Sequence, residues 1–116
     1  MLKPRAQARE GMKTPQPSLF VAARTNDLAQ LSAALAEGKR LDDADVEDGF
    51  TPLHTAAYNG SMEFLRLALQ DPTANPWLRD KAGWLAIDHA DARRDLVISK
   101  MLYEAMYPDG AVPFPE

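Results

Sequence analysis

The sequence predicts an all-α fold, a solenoid of about three stacked helix pairs joined by projecting hairpin loops, and three observations carry that expectation. The first is self-similarity at an offset of 34 residues: Leu19 falls on Leu53 and Ile87, Ala22 on Ala56 and Ala90, Leu28 on Met62 and Leu96, Leu35 on Leu69 and Tyr103, Gly49 on Gly83, and Phe50 on Trp84. Apolar positions that recur together at a period in the low thirties mark stacked supersecondary units rather than one closed core. The second is that each unit holds two short segments of helical periodicity with start and stop signals. The third is that the stretches between helix pairs, "DDADVEDG" and "WLRDKAG", are polar turn chemistry with Asp and Gly at the tip.

The elements follow in order. In the first unit, "LFVAARTNDLAQLSAALAEG", Asp27 opens the second helix with Gln30 three residues on, the spacing of a capping box with Asp in place of Ser or Thr. In the central unit Thr51 is an N-cap and Pro52 stands at the first helical position, where its missing N–H costs nothing. Gly60 supplies a left-handed stop after Asn59. Ser61 restarts the chain as a second cap, and Phe64, Leu65, Ala68 and Leu69 follow at helical spacing. In the last unit Asp95 opens a helix whose inner face is expected to hold Leu96, Ile98, Met101, Leu102 and Ala105, and Pro108 ends it. The first helix of each pair is too short to stand alone in water. Its small residues, Ala22 with Ala23 and Ala56 with Ala57, allow close approach, so burial has to come from the neighbouring unit.

A length of 116 residues suits one domain with a modest core. The boundaries expected are a flexible basic leader over residues 1–17, the stack over 18–107 and a proline-rich tail over 108–116, whose Val112 and Phe114 either lie against the last helix or are disordered. No apolar run approaches the roughly 20 residues of a membrane helix. The N-terminus lacks the apolar segment of a secretory signal, so a cytoplasmic location is the default. The absence of cysteine removes disulfides, thiolate zinc sites and cysteine nucleophiles. A net charge of −4 argues against nucleic-acid binding, although Lys3, Arg5, Arg9 and Lys13 make the leader locally basic.

The stretch "GFTPLHTAAYNG" reads either as a catalytic loop around His54 or as a short helix with its punctuation. Catalysis by His54 or His89 would need an activated nucleophile placed with a base, and no such pair is evident. Asp88, His89 and Asp91 have metal-ligand chemistry, but on a helix His89 lies about 100° from the face shared by the two carboxylates, so the three do not converge. No metal, cofactor or small-molecule substrate is therefore expected.

Thr51-Pro52-Leu53-His54, Ala56-Ala57, Gly60 and Leu65 to Leu69, preceded by Asp48-Gly49, resemble the ankyrin repeat family. The resemblance covers residues 18–107. Its flanking copies are degenerate: Phe20 and Asn26 replace the histidine and glycine in the first, and Leu85-Ala86-Ile87-Asp88 and Arg94 replace Thr-Pro-Leu-His and glycine in the third. End units of a short stack face water and act as caps. The resemblance implies that Thr51, Pro52, Leu53, His54, Ala56, Ala57 and Gly60 are structural, with the His54 ring tying one repeat to the next. It also implies protein–protein binding on a concave surface of loop tips and first-helix residues. The candidates there are Asp45, Glu47, Asp48, Phe50, Thr55, Tyr58, Asn59, Trp77, Lys81, Trp84, His89 and Arg93, with His89 expected to be exposed. Tyr58 either anchors a partner or covers a neighbouring helix. Trp84 and Trp77 either pack adjacent hairpins or bind. The acidic run over residues 42–48 is solvated charge, a field that steers a basic partner, or a dock for the basic leader. The function expected is a non-catalytic interaction module, monomeric when free, acting as an inhibitor or adaptor. A neutraliser of a toxic enzyme is one concrete version of it.

Overall fold

The computed structural model describes residues 16–108. Over them the chain forms six helices, α1 (Leu19–Thr25), α2 (Leu28–Ala36), α3 (Pro52–Asn59), α4 (Met62–Ala68), α5 (Ala86–Ala92) and α6 (Leu96–Met106), with no strand among the described residues. The basic side chains of the leader, and Val112 and Phe114 of the tail, lie outside the described residues. The helices pair as the repeat predicts. Those opening each pair form an inner row, α1 on α3 and α3 on α5, and the others an outer row, α2 on α4 and α4 on α6.

The 34-residue counterparts explain why these short helices hold together. Ala22, Ala56 and Ala90 are all fully buried, and a single methyl at that position lets inner helices approach closely enough to cover one another. In the outer row Leu31 and Leu65 occupy equivalent buried positions, joined by Phe64, Ile98 and Leu102. Each large apolar side chain so enclosed contributes about 1.5–3 kcal/mol. The counterpart of Leu31 and Leu65 in the last unit is Ser99, whose hydroxyl donates to the Asp91 carboxylate at 2.5 Å. Among the described residues the last unit therefore carries a polar pair where the other two carry a buried leucine.

The caps show where the sequence expectation needs correcting. Asp27 and Asp95 cap α2 and α6 by accepting from the Gln30 and Ile98 amides. The Gln30 side chain, however, does not close a capping box on Asp27: its oxygen accepts from the Ser18 amide at 2.9 Å, joining the starts of α1 and α2. Ser61 is at the start of α4 without capping it by its side chain. Its hydroxyl donates instead to the Ala23 carbonyl of the preceding unit, and the Phe64 amide that it leaves open is capped by Asn26 at 2.8 Å, also from the preceding unit. Asn26 holds φ 59°, so one residue supplies the left-handed end of α1 and the cap of α4. Asparagine is among the few non-glycine residues that adopt this conformation readily. Leu96 is not on the inner face of α6. It is 78 % exposed, whereas its counterparts Leu28 and Met62 pack against the core; no further helix pair follows among the described residues to cover it. Ile98, Leu102 and Met106 form the buried face.

Candidate functional site

The site begins with the two hairpin loops. In the first, the Asp45 amide donates to the Phe50 carbonyl; in the second, the Asp80 amide donates to the Trp84 carbonyl. The first loop is thus one residue longer, and the extra residue falls in the acidic run. The loops lie side by side, the Lys81 amide donating to the Asp48 carbonyl at 3.0 Å. Gly49 permits this contact: at φ 74°, a Cβ on it would sit 2.8 Å from the Lys81 nitrogen.

His54 fastens the inner helices to these loops. Its Nε2 is 2.9 Å from the Trp84 carbonyl oxygen, which can only accept, so that nitrogen carries the proton. Nδ1 is then free to accept from the Thr51 amide at 3.1 Å, and Thr51 in turn caps α3. Burial pushes the imidazole pKa below its ordinary value, against the opposing effect of the Trp84 bond, so the neutral ring is the resident form. A buried neutral ring with both nitrogens engaged is a structural tie. In the last unit Asp88 does the local half of this work, accepting from the Leu85 amide at 2.8 Å.

Between the loops and the C-terminal ends of α3 and α5 lies an apolar depression of ≈ 400 Å³, lined by Phe50, Tyr58, Ala82, Trp84, His89, Ala92 and Arg93 with Asp80 at its base. His89 is its hub. Ring centroids of Trp84, Phe50 and Tyr58 lie 4.8, 4.9 and 5.8 Å from that of His89. The His89 side chain is only 11 % exposed and bonds through Nε2 to the Asp80 carboxylate at 2.8 Å, so the expectation of an exposed histidine is corrected. Asp80 also accepts from the Ala82 and Trp84 amides. Burial of this carboxyl favours its neutral form, but the bonds from His89, Trp84 and Ala82 outweigh that and hold it below the usual carboxylate range. Around this fixed floor the two large rings remain open, Tyr58 at 58 % and Trp84 at 41 % exposure.

The structure brings together Phe50, Tyr58, Trp84, His89 and Arg93. Thr55 is half-buried on α3 and Asn59 is exposed, its amide donating to the Thr55 carbonyl. Asp45, Glu47 and Asp48 are exposed on the first loop, where Asp45 and Asp48 each accept a backbone amide, from Glu47 and Phe50. Lys81 bonds through Nζ to the Val46 carbonyl. Trp77 stands apart: it packs edge-on against Tyr107 at 5.4 Å and does not line the depression. Arg93 is bound at the depression's edge, donating to the Tyr58 carbonyl at 3.0 Å and lying over Gly60. Sequence reasoning missed Asp80 and the interlocking role of Asn26. The available signal for Asp80 was an Asp three residues before a loop glycine, the pattern of an Asx turn. No cluster of three or more metal-ligating side chains occurs among the described residues, and no helix among them is long and apolar enough to cross a membrane.

Comparison with known proteins gives the same architecture. Residues 39–90 match a family profile described as ankyrin repeats (many copies). Over 87 residues, 73 % of the chain, the sequence is 30 % identical to ankyrin repeat and SOCS box protein 3 of Bos taurus, and that stretch spans 16 % of the relative's length. Ankyrin repeats are in general protein–protein interaction modules. With six helices in three interlocked pairs among the described residues and a Thr-Pro-Leu-His motif whose histidine joins neighbouring units, the chain belongs to the ankyrin repeat family.

Proposed function

We propose that this protein binds a partner protein through the face formed by the aromatic depression and the adjoining acidic loop, acting as an inhibitor or adaptor rather than as an enzyme. The observation that carries the reading is the pair of open rings, Tyr58 and Trp84, around an apolar depression whose floor is fixed by Asp80 and His89. Large aromatic side chains on a rigid base lose little freedom on binding and dominate interface energetics. A contiguous apolar depression on a small acidic domain is the kind of surface that a partner covers.

Affinity capture from the native host tests this, with the wild-type chain compared with Tyr58→Ala and Trp84→Ala variants of unchanged unfolding midpoint. The reading expects a protein enriched by the wild type and lost from both variants. Capture of the same proteins by all three chains would remove it. Arg93→Ala is a poorer probe because that side chain also bonds α3.

A further inference from the structure

We propose that the depression seats a cationic side chain, an arginine carried by a basic segment of the partner. The proposal rests on the reading that this face binds a protein, and it names the chemistry of what enters.

Three features point to a cation. The walls are the rings of Phe50, Tyr58 and Trp84, whose π faces carry negative potential. The acidic loop adjoins them: Asp48 is two residues from Phe50, and Asp43, Asp45, Glu47 and Asp48 are all exposed. The Asp48 carboxylate accepts from the Phe50 amide itself, and the loop that carries it lies against the loop of Trp84, so its charge sits beside the aromatic wall. The helix ends that border the depression are also the C-terminal ends of α3 and α5, the negative ends of their dipoles.

The neighbouring basic groups are held at the rim: the Arg93 guanidinium is folded over Gly60 and bonded to the Tyr58 carbonyl, and the Lys81 Nζ is bonded to the Val46 carbonyl of the acidic loop. The His89 Nε2 faces the buried Asp80 carboxylate rather than the opening. Arginine fits better than lysine because its flat, weakly hydrated guanidinium stacks on rings while its stem lies along apolar surface. A leucine in the same place would gain burial alone, and seating it would bring apolar surface beside four exposed carboxylates.

The chain holds two tryptophans, which provide a site probe and a control in one spectrum. The full-length protein is titrated with the peptide amide Ac-Gly-Arg-Gly-Arg-Gly-NH2 and with its leucine and glutamate counterparts, following the indole N–H signals of Trp84 and Trp77 by NMR. We expect the arginine peptide to move the Trp84 signal with millimolar affinity, more tightly than either counterpart, while Trp77, packed on Tyr107, stays in place. Tyr58→Leu, which keeps an apolar wall but removes the ring, weakens the arginine peptide about two- to fivefold and leaves the leucine peptide unchanged. A leucine or glutamate peptide that binds as well as arginine, a Trp84 signal that does not move with arginine, or a Tyr58→Leu variant that binds arginine undiminished would overturn the proposal. The host-capture experiment reads independently: a partner lost on Tyr58→Ala together with a leucine preference would keep the binding face and reject its cationic occupant.

Discussion

Replacing His54 by alanine removes the tie between the central and last units, and the structure sets the size of the loss. Two hydrogen bonds disappear, from the Thr51 amide to Nδ1 and from Nε2 to the Trp84 carbonyl, each contributing about 1 kcal/mol net. A buried polar group left without its partner adds about 1–3 kcal/mol, and the Phe50 ring loses the stacked surface 5.5 Å away. The sum is about 3–5 kcal/mol, against a total of roughly 5–15 kcal/mol expected for a domain of this size. At about 4–8 °C per kcal/mol the midpoint of thermal unfolding falls by at least ~12 °C. Urea unfolding followed by circular dichroism measures the loss directly, with the slope of the transition unchanged. Two milder variants separate the bonds. His54→Asn keeps an acceptor near Nδ1 and loses the bond to Trp84, whereas His54→Gln keeps a donor near Nε2 and loses the one to Thr51. Each should lose about half as much as alanine. A loss below about 1 kcal/mol for alanine, with both conservative variants at wild-type stability, would refute the assignment of His54 as an inter-unit tie.

Asn26→Gly keeps the left-handed backbone but removes the cap on the Phe64 amide and should cost about 1 kcal/mol, whereas Asn26→Ala also forces an alanine to φ 59° and should cost about 2 kcal/mol; equal losses in urea unfolding would contradict this. Arg94 occupies φ 60° at the position where the central unit has Gly60, so Arg94→Gly should raise stability by about 0.5–1 kcal/mol, and a lowered midpoint would contradict it. Acidification should destabilise the fold in two windows. The depressed pKa of His54 means that the unfolded chain takes up the proton first, so stability is complete above 6.5 and is lost as pH falls below it through the folded-state value. Asp80, also depressed, adds a loss that begins below 3.8. Urea midpoints that rise on acidification from about pH 7 to about pH 5 would reverse the assigned direction for His54.

Much of the fold was legible because it is written in local signals. Thr51, Pro52 and Gly60 punctuate α3 by backbone chemistry that needs no tertiary context, and the alanines at 22, 56 and 90 recur because every unit has the same close contact to make. What stayed hidden depends on contacts between units. Ser61 has a cap's identity and position, yet its hydroxyl is drawn to the Ala23 carbonyl because the preceding unit offers a buried acceptor and Asn26 supplies the cap. Leu96 has an inward leucine's spacing and faces outward because the last unit has no successor among the described residues. The face itself was partly visible: repeat alignment assembled Phe50, Tyr58, Trp84, His89 and Arg93, but nothing local told that His89 bonds to Asp80 or that Trp77 belongs with Tyr107 on another surface. Those facts turn on side-chain direction, which composition and period do not encode.

The central claim is that three helix pairs stand only by bracing one another, through His54 to Trp84, Ser61 to Ala23, Asn26 to Phe64 and Arg93 to Tyr58. Both tryptophans lie in the loop that joins the central unit to the last, whereas helical ellipticity reports the helices of every described unit. Equilibrium urea unfolding monitored by tryptophan fluorescence and by far-ultraviolet circular dichroism on the same samples should give superimposable curves. A fluorescence transition complete while most of the helical signal remains would show that the last unit comes away alone, and the account of interdependent units would not survive it.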